Sequence, residues 1–309
     1  MAMTTISVVV PVYYNAESLP LLFAELKKVE SHLGERDCAL ELIFVDDGSG
    51  DESMMELLKI KKQRPNTRVV KLTRNFGEVH ACKAGLKYAT GDCVMWLAAD
   101  LQDPPELIVD MTDKWLAGSK FVIALRTRRR DPPLTLLFAG IYHWLIKMFI
   151  SKDYPAGGFD RFLLDATLIH HIRDSSKNIN TSLLAYWLGY EPAVVFYDRA
   201  KREHGRSRWT LTKKLNFFID SVLGFSVLPI RMISAMGLLV SLLSFGYGLY
   251  IVINTIFGDR DVPAIATLAA MISFLLGMVM VMLGIIGEYV WRIFDEVIER
   301  PEFVVDEVY

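Results

Sequence analysis

The sequence predicts an α/β fold, a doubly wound and mostly parallel sheet, followed by two helices that cross a membrane. Three observations carry this expectation. Short, β-branched apolar runs alternate with helical patterns through residues 1 to about 200, as in a sheet wound by crossover helices. Polar motifs fall at the carboxyl ends of those runs, where ligands bind in such sheets. The last third holds two long stretches with no charged residue, in a chain that is 52% apolar overall. At 309 residues the chain is long enough for one large domain or two small ones.

The runs Ile6 to Val10, Leu40 to Val45, Val69 to Leu72, Cys93 to Leu97 and Phe121 to Leu125 predict strands. Ser18 to Leu33, Ser53 to Gln63, His80 to Ala89 and Pro104 to Ala117 predict the helices between them. Three cysteines (Cys38, Cys82 and Cys93) without metal spacing predict reduced thiols. The opening Met-Ala-Met-Thr-Thr-Ile has no basic region and runs straight into a strand, so no signal peptide is expected.

Met232 to Gly258 and Val262 to Gly287 are 27 and 26 residues without Lys, Arg, His, Asp or Glu. A bilayer core needs roughly 20. Only Asp259-Arg260-Asp261 separates them, which predicts a transmembrane hairpin. From Arg199 to Arg231 there are eight Lys or Arg against Glu203 and Asp220, and Arg292 and Arg300 follow the second span. Positive flanks stay in the cytosol, so the N-terminal domain and the C-terminal tail are expected there. Two stretches, Leu134 to Ile150 and Trp209 to Leu228, are amphipathic. Each fits a helix lying in the membrane interface, or a packed core helix. The expected division is a catalytic domain at 1–208, juxtamembrane helices at 209–230, the hairpin at 231–290 and a tail at 291–309.

The strand ends carry the chemistry. Pro11-Val12-Tyr13-Tyr14-Asn15-Ala16-Glu17 ends the first strand with aromatic surfaces and a carboxylate able to accept from a ribose or base; ordinary loop chemistry explains it equally well. Val45-Asp46-Asp47-Gly48-Ser49 puts two carboxylates at the second end, Asp46 suited to a base N–H and Asp47 to a ribose hydroxyl or metal. Thr73-Arg74-Asn75-Phe76-Gly77 adds a cation. Asp100-Leu101-Gln102-Asp103-Pro104-Pro105 offers oxygen ligands for Mg²⁺ or Mn²⁺. It also reads as a strand-to-helix turn capped by Asp103. Together the four ends form a nucleotide-diphosphate site.

These segments, with Arg202-Glu203-His204-Gly205-Arg206-Ser207-Arg208-Trp209, resemble the polyprenyl-phosphate glycosyltransferases, which are inverting, family-two-type enzymes of GT-A fold. The hairpin followed by Gly287-Glu288-Tyr289-Val290-Trp291-Arg292 is most similar to their bactoprenol glucosyltransferase branch. The resemblance implies that Pro11, Tyr13, Glu17 and Asp46 hold the nucleoside, with Asp47 and Arg74 beside them. It implies that Asp100 and Gln102 bind the metal and that Arg126, leading into Arg128-Arg129-Arg130, meets phosphate. Arg199, Arg202, Ser207 and Arg208 fall in the basic loop that meets the lipid phosphate, and the same cluster also fits an anchor for anionic headgroups. In one respect the chain departs from the pattern: Ala98 stands where the Asp-x-Asp motif has its first carboxylate.

The implied reaction joins a cytosolic sugar nucleotide, UDP-glucose above GDP-mannose or a UDP-amino sugar, to undecaprenyl phosphate in a bacterial-type inner membrane. The divalent cation steadies the departing diphosphate. Arginines bring two polyanions together. Asp160 in Gly157-Gly158-Phe159-Asp160-Arg161 is the candidate base or orienting carboxylate, unless it forms a surface pair with Arg161. His80 and His204 read as residues of solvated loops. A processive synthase is disfavoured by the absence of Gln-x-x-Arg-Trp and of further spans; a non-catalytic nucleotide-sugar sensor stays open because of Ala98. No motif points to nucleic acid. Gly237, Ser241, Ser244 and Gly248 offer close helix packing and a possible homo-oligomer.

Overall fold

The computed structural model describes residues 3–127, 158–200, 228–257 and 264–309, with positions 140, 144, 146–148, 154–155, 221 and 224–225. Two units divide it: Met1–Ser221 with Pro301–Tyr309, and Val222–Arg300.

The first unit is an eight-stranded mixed sheet. In chain order its elements are β1 (Thr4–Val12), α1 (Leu19–Gly34), β2 (Cys38–Asp46), α2 (Ser53–Gln63), β3 (Arg68–Leu72), α3 (Glu78–Leu86) and β4 (Cys93–Trp96). There follow α4 (Leu107–Leu116), β5 (Phe121–Arg126), β6 (Arg161–Asp165), α5 (Ala166–Arg173), α6 (Thr181–Trp187), β7 (Ala193–Tyr197) and, at the C-terminus, β8 (Val305–Val308). Strand order is β7-β5-β6-β4-β1-β2-β3-β8. β1 pairs in parallel with β2 and β4, β2 with β3, and β5 with β7, whereas β6 and β8 run antiparallel to their neighbours.

Chemistry of the strands explains this order. Ile6, Val8, Val9 and Val10 are wholly buried, so β1 is covered on both faces, which suits a central parallel strand. The five expected strands and four expected helices are all present, with ends shifted by three residues or fewer. β6, β7 and β8, together with α5 and α6, were not expected. The three cysteines are free thiols, all buried.

Helix α3 lies unusually close to the sheet. A Cβ added at Gly85 would sit 2.3 Å from Val9 Cγ1 and 3.1 Å from Val45 Cγ2. Both neighbours are β-branched and stiff, in a core with no slack. Gly85→Ala is therefore expected to destabilise the first unit by about 1–3 kcal/mol. Thermal unfolding of the full chain in detergent checks this; an unchanged midpoint would refute it.

The second unit holds α7 (Leu228–Phe257) and α8 (Ala264–Val297). Their segments Ile230–Tyr250 and Phe274–Val297 have mean hydropathy 1.7 and 1.9, and only 6% and 0% of those windows is buried in the protein. Both are long and apolar enough to cross a membrane, and their side chains do not form a protein core. Less exposed positions recur every three or four residues, at Ile233, Gly237, Val240, Ser244 and Tyr247 on α7 and at Leu275, Met278, Met282 and Ile285 on α8. That spacing is the seam of a left-handed helix pair. A Cβ on Gly237 would stand 3.4 Å from Met282 Cε, so this glycine faces the neighbouring helix of the hairpin. Ser241 and Gly248 are exposed.

Where a tail was expected at 291–309, α8 continues to Val297 and the chain then re-enters the sheet of the first unit as β8. The interfacial stretch 209–220 and most of 134–150 lie outside the described residues.

Candidate active site at the carboxyl edge of the sheet

Register brings the motif residues to one edge. Val12 pairs with Asp46, Asp46 with Lys71, and Arg126 with Tyr197. β6 runs the other way, with Arg161 opposite Ala124. The residue that enters β6, Asp160, therefore arrives at the edge where β5 leaves. This antiparallel strand is how residues far apart in sequence meet.

Asp46 and Asp47 differ in use. Asp46 is 1% exposed, and its Oδ1 accepts from the Ser49 amide at 3.3 Å. Burial pushes its pKa above the usual carboxylate range, against the pull of Ser49. Asp47 is taken up by the next loop: its oxygens accept from Phe76 N at 2.7 Å, Gly77 N at 2.9 Å and Asn75 Nδ2 at 2.8 Å. This carboxylate holds the 75–77 turn, where a ribose or metal contact had been one expectation. Gly48 serves the same junction at φ +69°, with a Cβ position 2.5 Å from the Arg74 carbonyl carbon. The left-handed backbone and the lack of space both require glycine here. Arg74 itself is exposed and lies over the Phe76 ring.

The acid turn is organised around Asp103. It is 1% exposed and accepts from Arg161 Nε at 2.7 Å and Tyr197 Oη at 2.9 Å, with Arg199 Nε at 3.6 Å. Burial pushes the Asp103 carboxyl up, but the Arg161 and Arg199 charges outweigh it and hold the pKa below the usual range. Burial pushes the Tyr197 phenol up to about 12. Asp103 is not a helix cap: α4 begins at Leu107 after Glu106. Arg161 likewise is a buried partner of Asp103 and, at 3.4 Å, of Glu78, where a surface pair with Asp160 had been an alternative.

Asp100 Oδ1 accepts from the Gln102 amide at 3.2 Å, closing a tight turn over Leu101. Leu101 has φ +56°, a left-handed conformation costly for leucine and typical of functional turns. Gln102 Oε1 accepts from Arg199 at 2.9 Å and its carbonyl from the Ala200 amide at 2.9 Å. Gln102 and Arg199 thus tie the acid turn to the chain after β7. Among the described residues no group of three His, Cys, Asp or Glu converges to form a protein cage for a metal. The expected second ligand, Gln102, has its side-chain oxygen held by Arg199 instead, so the carboxylate of Asp100 fits Mg²⁺ or Mn²⁺ only as ions that bring waters and substrate phosphate oxygens with them.

Arg126 pairs with Asp160 through one guanidinium nitrogen. Pro11 is still in β1, opposite Val45, while Tyr13 and Glu17 lie in the loop that follows, where Asn15 Oδ1 accepts from the Tyr13 amide at 2.9 Å. Arg202, Ser207, Arg208, His204 and Arg128 to Arg130 lie outside the described residues. His80, expected in a solvated loop, is on α3 and bonds Glu302 at 2.9 Å. Sequence reasoning missed Arg161, Tyr197, Lys83 and Glu302. Their common signal, a charged or phenolic residue bordering a short apolar run, is too weak to read alone.

Comparison with known proteins settles the family. Residues 7–158 match the glycosyl transferase family 2 domain. An uncharacterized glycosyltransferase of Synechocystis sp. is 34% identical over 98% of this chain and 95% of its own length. The chain belongs to glycosyl transferase family 2. This family 2 chain is a glycosyltransferase, and its sheet is of the GT-A type that the motifs implied. YkcC of Bacillus subtilis, an uncharacterized glycosyltransferase, is 33% identical over 98% of the chain and 94% of its own. The SfII prophage-derived bactoprenol glucosyl transferase of Shigella flexneri is 31% identical over 97% of both chains.

Proposed function

We propose that this glycosyltransferase moves a monosaccharide from a nucleoside diphosphate to the phosphate of a membrane polyprenol, with inversion, using UDP-glucose and undecaprenyl phosphate. The observation that carries this reading is the co-occurrence, in one chain, of a polar strand-end edge and two bilayer-length apolar helices. End-to-end similarity to a protein named bactoprenol glucosyl transferase supports the acceptor class.

Chemistry at the edge follows from charge. The acceptor phosphate is already anionic near neutral pH, so the barrier is mainly electrostatic. In this reading Arg126 offers a guanidinium fork to a phosphate, and its partner Asp160 is the base or orienting carboxylate for the acceptor; the ion pair between them supports the assignment. Asp46 and the Pro11–Glu17 loop hold the nucleoside. Asp100 would hold Mg²⁺ or Mn²⁺ together with the diphosphate, and the ion would supply charge stabilisation to the leaving group. Arg199, Arg202, Ser207 and Arg208 are proposed for the lipid phosphate.

Pairing of β8 with β3 supports an orientation. The segment before the hairpin and the segment after it belong to one sheet, which is consistent with both lying on the same side of the bilayer. With the basic flanks, this supports a cytosolic catalytic domain and cytosolic termini.

The test is transfer of label from UDP-glucose to undecaprenyl phosphate by membranes holding the full chain, with and without Mg²⁺ or Mn²⁺. Glycolipid formation is expected only with the cation. A panel with GDP-mannose and UDP-amino sugars assigns the donor. Nucleotide binding without any lipid product would replace this reading by the sensor that Ala98 leaves open.

A further inference from the structure

Lys83, in the middle of α3, is one of the largest fully buried side chains in the protein. Its ammonium donates to the carbonyls of Ser175 at 2.9 Å and Ser176 at 3.1 Å, and to Glu302 Oε1 at 2.8 Å. Glu302 is therefore the counter-charge in the contacts that surround a buried cation. The same oxygen bonds His80 Nδ1 at 2.9 Å, one helical turn earlier. Burial pushes the Glu302 carboxyl up, but the His80 and Lys83 bonds outweigh it and hold it below its usual range.

Glu302 does not come from a neighbouring loop. It lies just past the second apolar helix, in the segment that returns as β8. Phe303 beside it is 9% exposed, with Lys87 4.5 Å over its ring. Thr73 N bonds the Val304 carbonyl at 3.0 Å, Lys71 pairs with Asp306 at 2.6 Å, and Val69 and Tyr309 exchange both backbone bonds. The last nine residues are thus fastened along β3 and α3.

The other end of α3 belongs to the candidate site. The amides of Phe76 and Gly77, in the turn that leads into it, are held by Asp47, next to the buried Asp46. Glu78, in its first turn, contacts Arg161, which binds Asp103 of the acid turn. A helix is stiff along its axis, so a charge fixing its middle fixes the turn at its start.

We propose that Glu302 is a positioning residue for the donor site, acting through Lys83 and His80 on α3 to hold the Asp47–Phe76–Gly77 junction. The carboxylate that completes the donor side of the enzyme thereby comes from beyond the membrane hairpin. This inference rests on the donor site proposed above.

The experiment uses the full chain in detergent and two variants, Glu302→Gln and Glu302→Asp. UDP affinity is measured by calorimetry, and hydrogen exchange is followed at amides 76–84. Glu302→Gln keeps the shape but removes the charge; it is expected to weaken UDP binding at least about fivefold, the lower end of typical coupling between sites. Amides of the first α3 turn should exchange faster, and Glu302→Asp should recover part of both effects. A merely structural role would lower the yield of folded protein but leave the UDP affinity of each folded molecule unchanged. Unchanged affinity with unchanged exchange would overturn the proposal. Should the unmodified protein bind no UDP, the donor reading fails, and exchange at 76–84 alone then decides the Glu302 link.

Discussion

Asp103→Ala is expected to be the most damaging single substitution in the catalytic unit. It removes the acceptor of Arg161 and Tyr197 and leaves a guanidinium, itself 7% exposed, without its closest counter-charge. Breaking a buried pair from one side costs about 3–5 kcal/mol. Domains of this kind are stable by only about 5–15 kcal/mol. Denaturant unfolding of the purified protein should show the loss, and little folded protein should survive near physiological temperature. A loss below about 1 kcal/mol would mean that Glu78 replaces Asp103 as the partner of Arg161. Acid should mimic the substitution in part. The Asp103 pKa is lowered on folding from 3.8, so its stabilisation is complete above that value and is lost as pH falls through the lower folded value.

Asp100→Asn should have the opposite signature, large in rate and small in stability. Asp100 is only half-buried, and its described bond closes a turn that an asparagine oxygen can also close. Loss of one electrostatic stabiliser of a departing anion costs about 10²–10³ in turnover. The glycolipid assay should therefore fall by that factor, while nucleotide binding without metal stays near the original. Equal activity of Asp100→Asn would remove Asp100 from the proposed metal site. Ala98→Asp supplies the companion measurement: a second carboxylate at this edge should lower the metal concentration needed for half-maximal rate.

The parallel half of the fold was legible because its signal is local. β1, β2 and β5 are apolar runs of six to nine residues bounded by breakers, and burial on both faces makes them nearly continuous. β6, β7 and β8 are four or five residues each, and β8, Val-Asp-Glu-Val, is half acidic. Its place beside β3 is fixed by partners remote in the chain, which no window of sequence contains. The site was legible to the same degree. Asp46 and Arg126 are the last residues of recognisable strands, and Asp100 follows β4 by four positions. Asp103 looked like a helix cap because its true partners, Arg161 and Tyr197, lie 58 and 94 positions away. Asp47 looked like a ligand because the sequence does not show that three groups of the 75–77 turn converge on it.

The late arrival of β8 also bears on biosynthesis. Lys71 and its partner Asp306 are 235 positions apart. At roughly 5–20 residues per second of translation, β3 waits on the order of ten to fifty seconds before its neighbour exists. Both apolar helices are made in that interval. Through it the nascent sheet carries an open edge at β3, a strand with bare amides and carbonyls that another chain can pair with. Residues 305–308, made after both helices, are the ones that close it. Without residues 301–309 that edge would stay open and Glu302 would be lost with it, so a chain truncated after Arg300 is expected to aggregate as it is made.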